Sequence, residues 1–346
     1  MKAHVRMLIV TVTLVAMAVV LNGCSSSSGG TVYLNVLQRT AWQQVANGRL
    51  ALASLGGNSL PYIYQISDNG SGLALLTPSF NQNPPVNVLE GGTNPSFSPD
   101  GTVIAFVSRR GGPNNASSTI YSILTAAGDR SSVSSPLQPL PDDSTTTGGD
   151  SQPNWSPDGS KIIYTSTRVN GTNSFRTVPA EGGTPTDVFA DGNDNQWPCY
   201  NPANPNQIVF QSNAGLTGIV DPVTGQAPTG VFILDTSQPL APGTNPVRIA
   251  AATPDHFTDG APSWSSDGSK IAFHSDRSGR ASSGDFDIWI YNVADQTLVH
   301  VTNDARSDGY PVWNWDGSRI AFTRDRELWT CAADGSDQKR LTRRFQ

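Results

Sequence analysis

The chain has 346 residues, 22 Lys and Arg against 28 Asp and Glu, a net charge of −6, and only 14% charged side chains. With 33 Gly and 25 Pro, this composition excludes a fold of long helices and favours many short strands joined by turns. The acidic balance argues against a nucleic-acid partner.

Residues 1–23 read as an export signal. Lys2 and Arg6 form a basic start, "MLIVTVTLVAMAVVL" is an apolar run too short to span a bilayer comfortably, and Cys24 follows in "LNGC". This arrangement resembles a bacterial lipobox, which implies cleavage before Cys24 and lipidation of its thiol. Residues 24–38 then comprise the lipidated cysteine, a "SSSSGG" tether and a candidate closing strand, "TVYLNVL" from Thr31. The remainder, residues 39–346, is organised by a repeat.

"QPNWSPDGSKIIYTSTR" from Gln152 returns as "APSWSSDGSKIAFHSDR" from Ala261, identical at ten of seventeen positions. Further copies are "NPSFSPDGTVIAFVSRR" from Asn94, "YPVWNWDGSRIAFTRDR" from Tyr310 and a weaker "WPCYNPANPNQIVFQSN" from Trp197. Each copy predicts a short strand ending in an aromatic residue, a tight turn, and a second strand apolar on both faces. In "SPDG" the proline presets the backbone, Asp tolerates the next position, and Gly accepts the left-handed conformation. Asp158 and Asp267 are therefore expected to be turn formers. A strand apolar on both faces belongs between two sheets, as the middle strands of a propeller blade do.

Aromatic third strands follow, such as "DIWIYNV" from Asp287 and "ELWTCAA" from Glu327, and then short fourth strands such as "LVHVT" from Leu298. A degenerate unit lies upstream, with "NGRLALAS" from Asn47, "YIYQIS" from Tyr62 and "LALLT" from Leu73. The expected fold is all-β, a six-bladed β-propeller of four-stranded antiparallel blades. The polar stretches from Ser131 and from Asn213 read as surface insertions. Phe97, Trp155, Tyr200, Trp264 and Trp313 occupy one repeat position and read as core.

These residues resemble the propeller repeats of TolB-type proteins, whose units carry P-x-W-S-P-D-G-x-x-I-A-F-x-S-x-R and end in an "LT"-like strand. The resemblance covers about residues 40–346. It implies an exported six-bladed propeller and, by analogy with TolB itself, contact with a peptidoglycan-associated lipoprotein. Two features depart from TolB: the lipid anchor, and a stretch after Cys24 too short for the α/β domain that precedes the TolB propeller.

Three residues before the proline of each first strand stand Asp150, Asn195, Asp259 and Asp308, with Gly92 in the second unit. They are expected to ring one mouth of the central channel, where carboxylates would favour a cation or a basic segment of a partner. The alternative reading is that each caps a loop by accepting from nearby backbone N–H groups. His256, His274 and His300 show no metal-ligand spacing. Asp276 with Arg277, and Asp325 with Arg326, read as structural ion pairs, and Cys199 and Cys331 as two buried thiols. "KRLTRR" from Lys339 reads as the solvated end of the last blade. No "G-x-S-x-G" nucleophile elbow occurs, and no hydrolase segment is expected beyond the last blade.

The expected function is that of an envelope-anchored, monomeric binding module for another envelope component, protein or polysaccharide. It has no catalytic residue, metal or cofactor in this reading, and the membrane is reached through the lipid on Cys24. The alternatives are a TolB-like partner of a peptidoglycan-associated lipoprotein and a polysaccharide-acting enzyme with a metal in the channel.

Overall fold

The computed structural model describes residues 40–42, 48–55, 61–77, 92–108, 118–125, 148–168, 171–216, 228–241, 245–250, 257–278 and 285–343. The export signal, Cys24, the tether, "TVYLNVL" and His256 lie outside them.

The described residues form strands and turns, with no helix, in six antiparallel sheets. Blade 1 contains β1 (Ala41–Trp42), β2 (Arg49–Leu55), β3 (Pro61–Ser67) and β4 (Ala74–Leu75). Blade 2 contains β5 (Thr93–Phe97), β6 (Val103–Ser108) and β7 (Thr119–Leu124). Blade 3 contains β8 (Asp150–Trp155), β9 (Lys161–Ser166), β10 (Ser174–Pro179) and β11 (Thr186–Phe189). Blade 4 is built from β12 (Asn195–Asn201), β13 (Asn204–Ser212), β14 (Gly230–Asp235) and β15 (Val247–Ile249). Blade 5 has β16 (Asp259–Trp264), β17 (Lys270–Ser275), β18 (Asp287–Asn292) and β19 (Leu298–His300). Blade 6 has β20 (Asp308–Trp313), β21 (Arg319–Arg324), β22 (Glu327–Ala332) and β23 (Lys339–Arg340). Strands pair in chain order in every blade, so the expected propeller of six blades is what the chain forms.

There is no single central core. Six apolar clusters lie at the six junctions between neighbouring blades, because each sheet buries both faces against the next. The second strands supply the most deeply buried side chains, among them Ile163, Phe210, Phe273 and Phe322. The ring closes in the same way: Leu50, Leu52 and Ile66 of blade 1 pack on Val312, Leu328 and Leu341 of blade 6, and Lys339 Nζ donates to the Asn69 carbonyl at 3.4 Å. Among the described residues no strand of one blade joins the sheet of another.

The repeated turn is built as its letters predict. In blade 3, Asp158 accepts from Ser156 Oγ (2.6 Å) and from the Ser160 backbone N–H (3.0 Å), while Gly159 takes φ +71°. Asp100, Asp267 and Asp316 make the equivalent Asx bonds. The Ser156 hydroxyl and the Ser160 groups hold the Asp158 carboxyl down to about 2. The thiols of Cys199 and Cys331 are free and buried, and burial pushes Cys331 up to about 12.

Candidate functional site: the central channel

Each of the five first strands β5, β8, β12, β16 and β20 carries a bulge at the same place. The residue before the repeated proline has positive φ: Asn94 (50°), Gln152 (55°), Trp197 (56°), Ala261 (47°) and Tyr310 (56°). A proline belongs at such a point because it brings no N–H that the broken ladder would leave unpaired. The left-handed residue turns its own N–H out of the sheet, and in three blades the preceding blade accepts it. Gln152 Oε1 accepts from Trp197 N (2.9 Å), Gln211 Oε1 from Ala261 N (3.0 Å), and His274 Nδ1 from Tyr310 N (3.3 Å). The bulges therefore stitch neighbouring blades around the channel.

Trp197 and Tyr310 come from blades 4 and 6, which are not neighbours, yet their rings lie 5.4 Å apart. Ala261 of the intervening blade is small enough to leave them that space. His274 packs edge-on against Tyr310, also at 5.4 Å, and burial lowers it to about 4, so at neutral pH its ring is uncharged and free to accept.

Before this bulge level stand Asp150, Asn195, Asp259 and Asp308, each at the start of its first strand and each fully or almost fully buried. Their carboxylates do not form an open acidic ring. Asp150 accepts from Arg168 Nε (3.1 Å) and Ser166 Oγ (2.8 Å). Asp259 accepts from Arg277 Nη2 with both oxygens at 2.6 Å. Asp308 receives a two-point pair from Arg324, Nε and Nη2 each at 2.5 Å. Burial pushes all three carboxyls up, and the adjacent guanidinium pulls each the other way. Burial also works against the charge on Arg324, but its bonds to Asp308 prevail and hold it above its usual value.

Asn195, the fourth member, donates from Nδ2 to Asp191 at 2.7 Å. Gly92, the fifth, has no room for a side chain: a Cβ there would lie 2.6 Å from Phe106 Cδ2. In blades 3, 5 and 6 the position is thus a clasp between the start of the first strand and the end of the second. Arg277 pairs with Asp259, and Asp276 accepts from the Thr258 N–H at 2.8 Å. In blade 6 the pairing arginine is Arg324, because Asp325 and Arg326 (φ 52° and 64°) form the two-residue β21–β22 turn. His300 bonds Asp287 at 3.0 Å and stacks on Trp289, away from His274. Among the described residues no three His, Cys, Asp or Glu side chains converge as a metal site.

Beyond the bulge level, toward the turns, the channel widens into a cavity of about 330 Å³. Its walls run from Asn94, Gln152 and Trp197 to the turn residues Pro99, Pro157, Pro202, Ser266 and Trp315. Every one of its described lining residues is uncharged. The site expected from the sequence, at Asp150, Asn195, Asp259 and Asp308, falls at the opposite mouth.

With this geometry in view, comparison with solved structures is informative. A putative TolB from Agrobacterium tumefaciens superposes with a TM-score of 0.51 at 18% identity, over 71% of this chain and 79% of that one. TolB from Acinetobacter baumannii gives 0.54 at 17% identity, over 92% of this chain and 65% of that one. The fold is a TolB-type six-bladed β-propeller. Blades of the same kind are found in enzymes: a puromycin-hydrolysing peptidase of Mycobacterium tuberculosis gives 0.54 at 12% identity, over 92% of this chain and 46% of that one. In sequence, residues 265–344 match the model of the dipeptidyl peptidase IV N-terminal region, less than half of the chain, and no curated protein matches. These likenesses are of fold, and the strand-lined channel is the concave surface that this fold presents.

Proposed function

We propose that this chain is a cell-envelope binding module: a lipoprotein, anchored through Cys24, whose propeller presents its channel to another envelope component. The observation that carries this reading is the cavity at the turn face. It is lined by all six blades, and its walls are fixed by bulges that are themselves hydrogen-bonded from blade to blade. A rigid concave surface loses little entropy on binding. Asp150, Asn195, Asp259 and Asp308 serve in this reading as the rigid rim of the opposite mouth, keeping the first strands in place. The mechanism is presentation and involves no covalent step.

The test uses the full chain in its host. The parent is expected in the envelope fraction and Cys24→Ser in the soluble exported fraction. A photo-crosslinking residue at Ser266, on the cavity wall, should give a discrete adduct that the same group at Thr186, on the outer strand β11, does not. Retention of the parent in the cytoplasm, or equal labelling from both positions, would overturn the proposal.

A further inference from the structure

Five large apolar side chains stand exposed among the described residues, and they are unevenly placed. One, Trp315, takes the turn position of Pro99, Pro157 and Pro202 at the cavity mouth. The other four, Leu240, Val247, Leu298 and Val299, are 36–59% exposed and belong to the outer rim of blades 4 and 5. Val247 opens β15 and Leu240 lies in the loop before it, while Leu298 and Val299 are in β19, and both strands are the outermost of their sheets. Apolar residues exposed singly are ordinary, whereas four on the rim of two neighbouring blades form a surface.

Strand register brings two of them onto one groove. Val247 pairs with Ile233 and lies two residues from Ile249, and both of these pack in the junction between blades 4 and 5. Leu298 pairs with Tyr291, which packs in the same junction from the other side. Val247 and Leu298 therefore lie on facing sides of that junction, at its outer end, where the apolar layer between the blades runs out to the surface. Val299 pairs with Ile290 and so faces the next junction, between blades 5 and 6.

That junction is edged with positive charge. Arg340 of β23 is in register with Trp329, and the Arg306 guanidinium lies 5.0 Å from the centre of the Trp329 ring. Each has a carboxylate partner, Glu327 at 3.5 Å and Asp304 at 3.1 Å, yet the two arginines are 35% and 44% exposed. Lys339 and Arg343, both exposed, extend the basic strip along the rim of a chain whose net charge is −6. The exposed carboxylates nearby are already engaged: Asp295 and Asp334 accept from the N–H groups of Thr297 and Ser336 in the turns before β19 and β23, and Asp337 pairs with Arg319 at 2.6 Å. Blade 3 offers the contrast, since the exposed residues of its outer strand are Thr186 and Asp187, the latter paired with Arg176 at 2.7 Å.

We infer that the rim of blades 4–6 docks on a membrane surface. Leu240, Val247, Leu298 and Val299 enter the boundary between headgroups and acyl chains, and Lys339, Arg340 and Arg343 meet anionic headgroups. Buried apolar area combined with attraction to anionic lipid is how a protein lies on a bilayer, and this rim supplies both. The inference rests on the proposed anchoring through Cys24, which keeps the propeller at the bilayer and makes even a weak contact effectively intramolecular. Docked on its rim, the propeller holds its channel axis along the membrane and leaves both mouths open.

The experiment places a dansyl amino acid at Val299 or at Thr186 of the full chain and adds phosphatidylethanolamine/phosphatidylglycerol vesicles that carry nitroxides on their acyl chains. Emission from Val299 should shift to the blue and be quenched about twofold or more, and emission from Thr186 should not. Val247→Ser with Leu298→Ser should bring the quenching at Val299 down to the level at Thr186, and Leu298→Ser alone should lower it in part, with melting temperature preserved. Arg340→Gln with Arg343→Gln should weaken it in the anionic vesicles and not in phosphatidylcholine vesicles. Equal quenching from the two positions, none from Val299, or quenching indifferent to all these substitutions overturns the proposal. A blue shift at Val299 that grows with protein concentration in the absence of lipid overturns it in favour of a second copy of the chain. The Cys24→Ser fractionation and the Ser266 crosslink are read separately, so failure of the rim contact would leave the binding module standing.

Discussion

The two ends of the channel are made by the same repeats and handle polarity in opposite ways. Where the first strands begin, charge is buried and matched: Asp150, Asp259 and Asp308 each meet an arginine from the end of the second strand. Where the first strands end, the described cavity walls carry amides, hydroxyls and rings and no charged side chain. The difference teaches that one end is latched by buried ion pairs while the other presents an uncharged wall. A buried ion pair holds two chain segments in fixed register but leaves little with which to recognise a third molecule.

The sharpest way to break this comparison is to unlatch a clasp. Arg324 is 1% exposed and its other carboxylate partner, Asp304 at 2.9 Å, is itself 34% exposed, so Asp308→Ala leaves a buried cation only part-paired and should cost about 3 kcal/mol in denaturant unfolding. Asp150→Ala should cost less, because Arg168 is partly exposed and can turn toward water. Equal and small losses from both would show that the clasps do not hold the blades.

Next in size is the pH dependence of the stitch at His274. Burial lowers its folded value to about 4, below the ordinary 6.5, so the folded state resists its protonation. Its contribution is full above about pH 6.5 and is lost as the pH falls toward 4, about 3 kcal/mol in all. Unfolding measured across that window should decline more steeply for the parent than for His274→Gln, which keeps an acceptor that does not titrate. Parallel profiles would remove His274 from the stitch.

The smallest expected effect sharpens the contrast from the other side. Trp315→Pro should change unfolding stability by no more than about 1 kcal/mol, since proline fits the same turn in three other blades. A large loss would mean that Trp315 is structural after all.

Much of the architecture was legible in advance. The turn letters, the doubly apolar second strands and the aromatic anchors recur closely enough to count blades, including the degenerate first one. Even there the anchor went unrecognised: Trp42 pairs with Leu50 as Trp155 pairs with Ile162, but the residues around Trp42 lack the "SPDG" letters. The channel was less legible. Asp150, Asp259 and Asp308 stood out by recurrence, yet recurrence does not tell a clasp from a ligand. A signal for the clasp was present in the arginines that end the quoted copies, Arg168 and Arg277. Blade 6 hid it, because Arg324 sits two residues earlier than the matching letter. Trp315 was visible as a tryptophan in place of proline, and its exposure was not.

The sequence by itself determined the blade: turn chemistry, strand alternation and the residue before proline act over a few bonds, and the same letters give the same local conformation five times. The tertiary structure alone decided which polar atoms find partners. Gln152 Oε1 finds donors in its own blade and the next, whereas the shorter Asn94 Oδ1, at the same repeat position and with nearly the same φ, finds none, an outcome that depends on how far away the next blade stands. Such distances are set by how six rigid sheets close a ring, which no single repeat encodes.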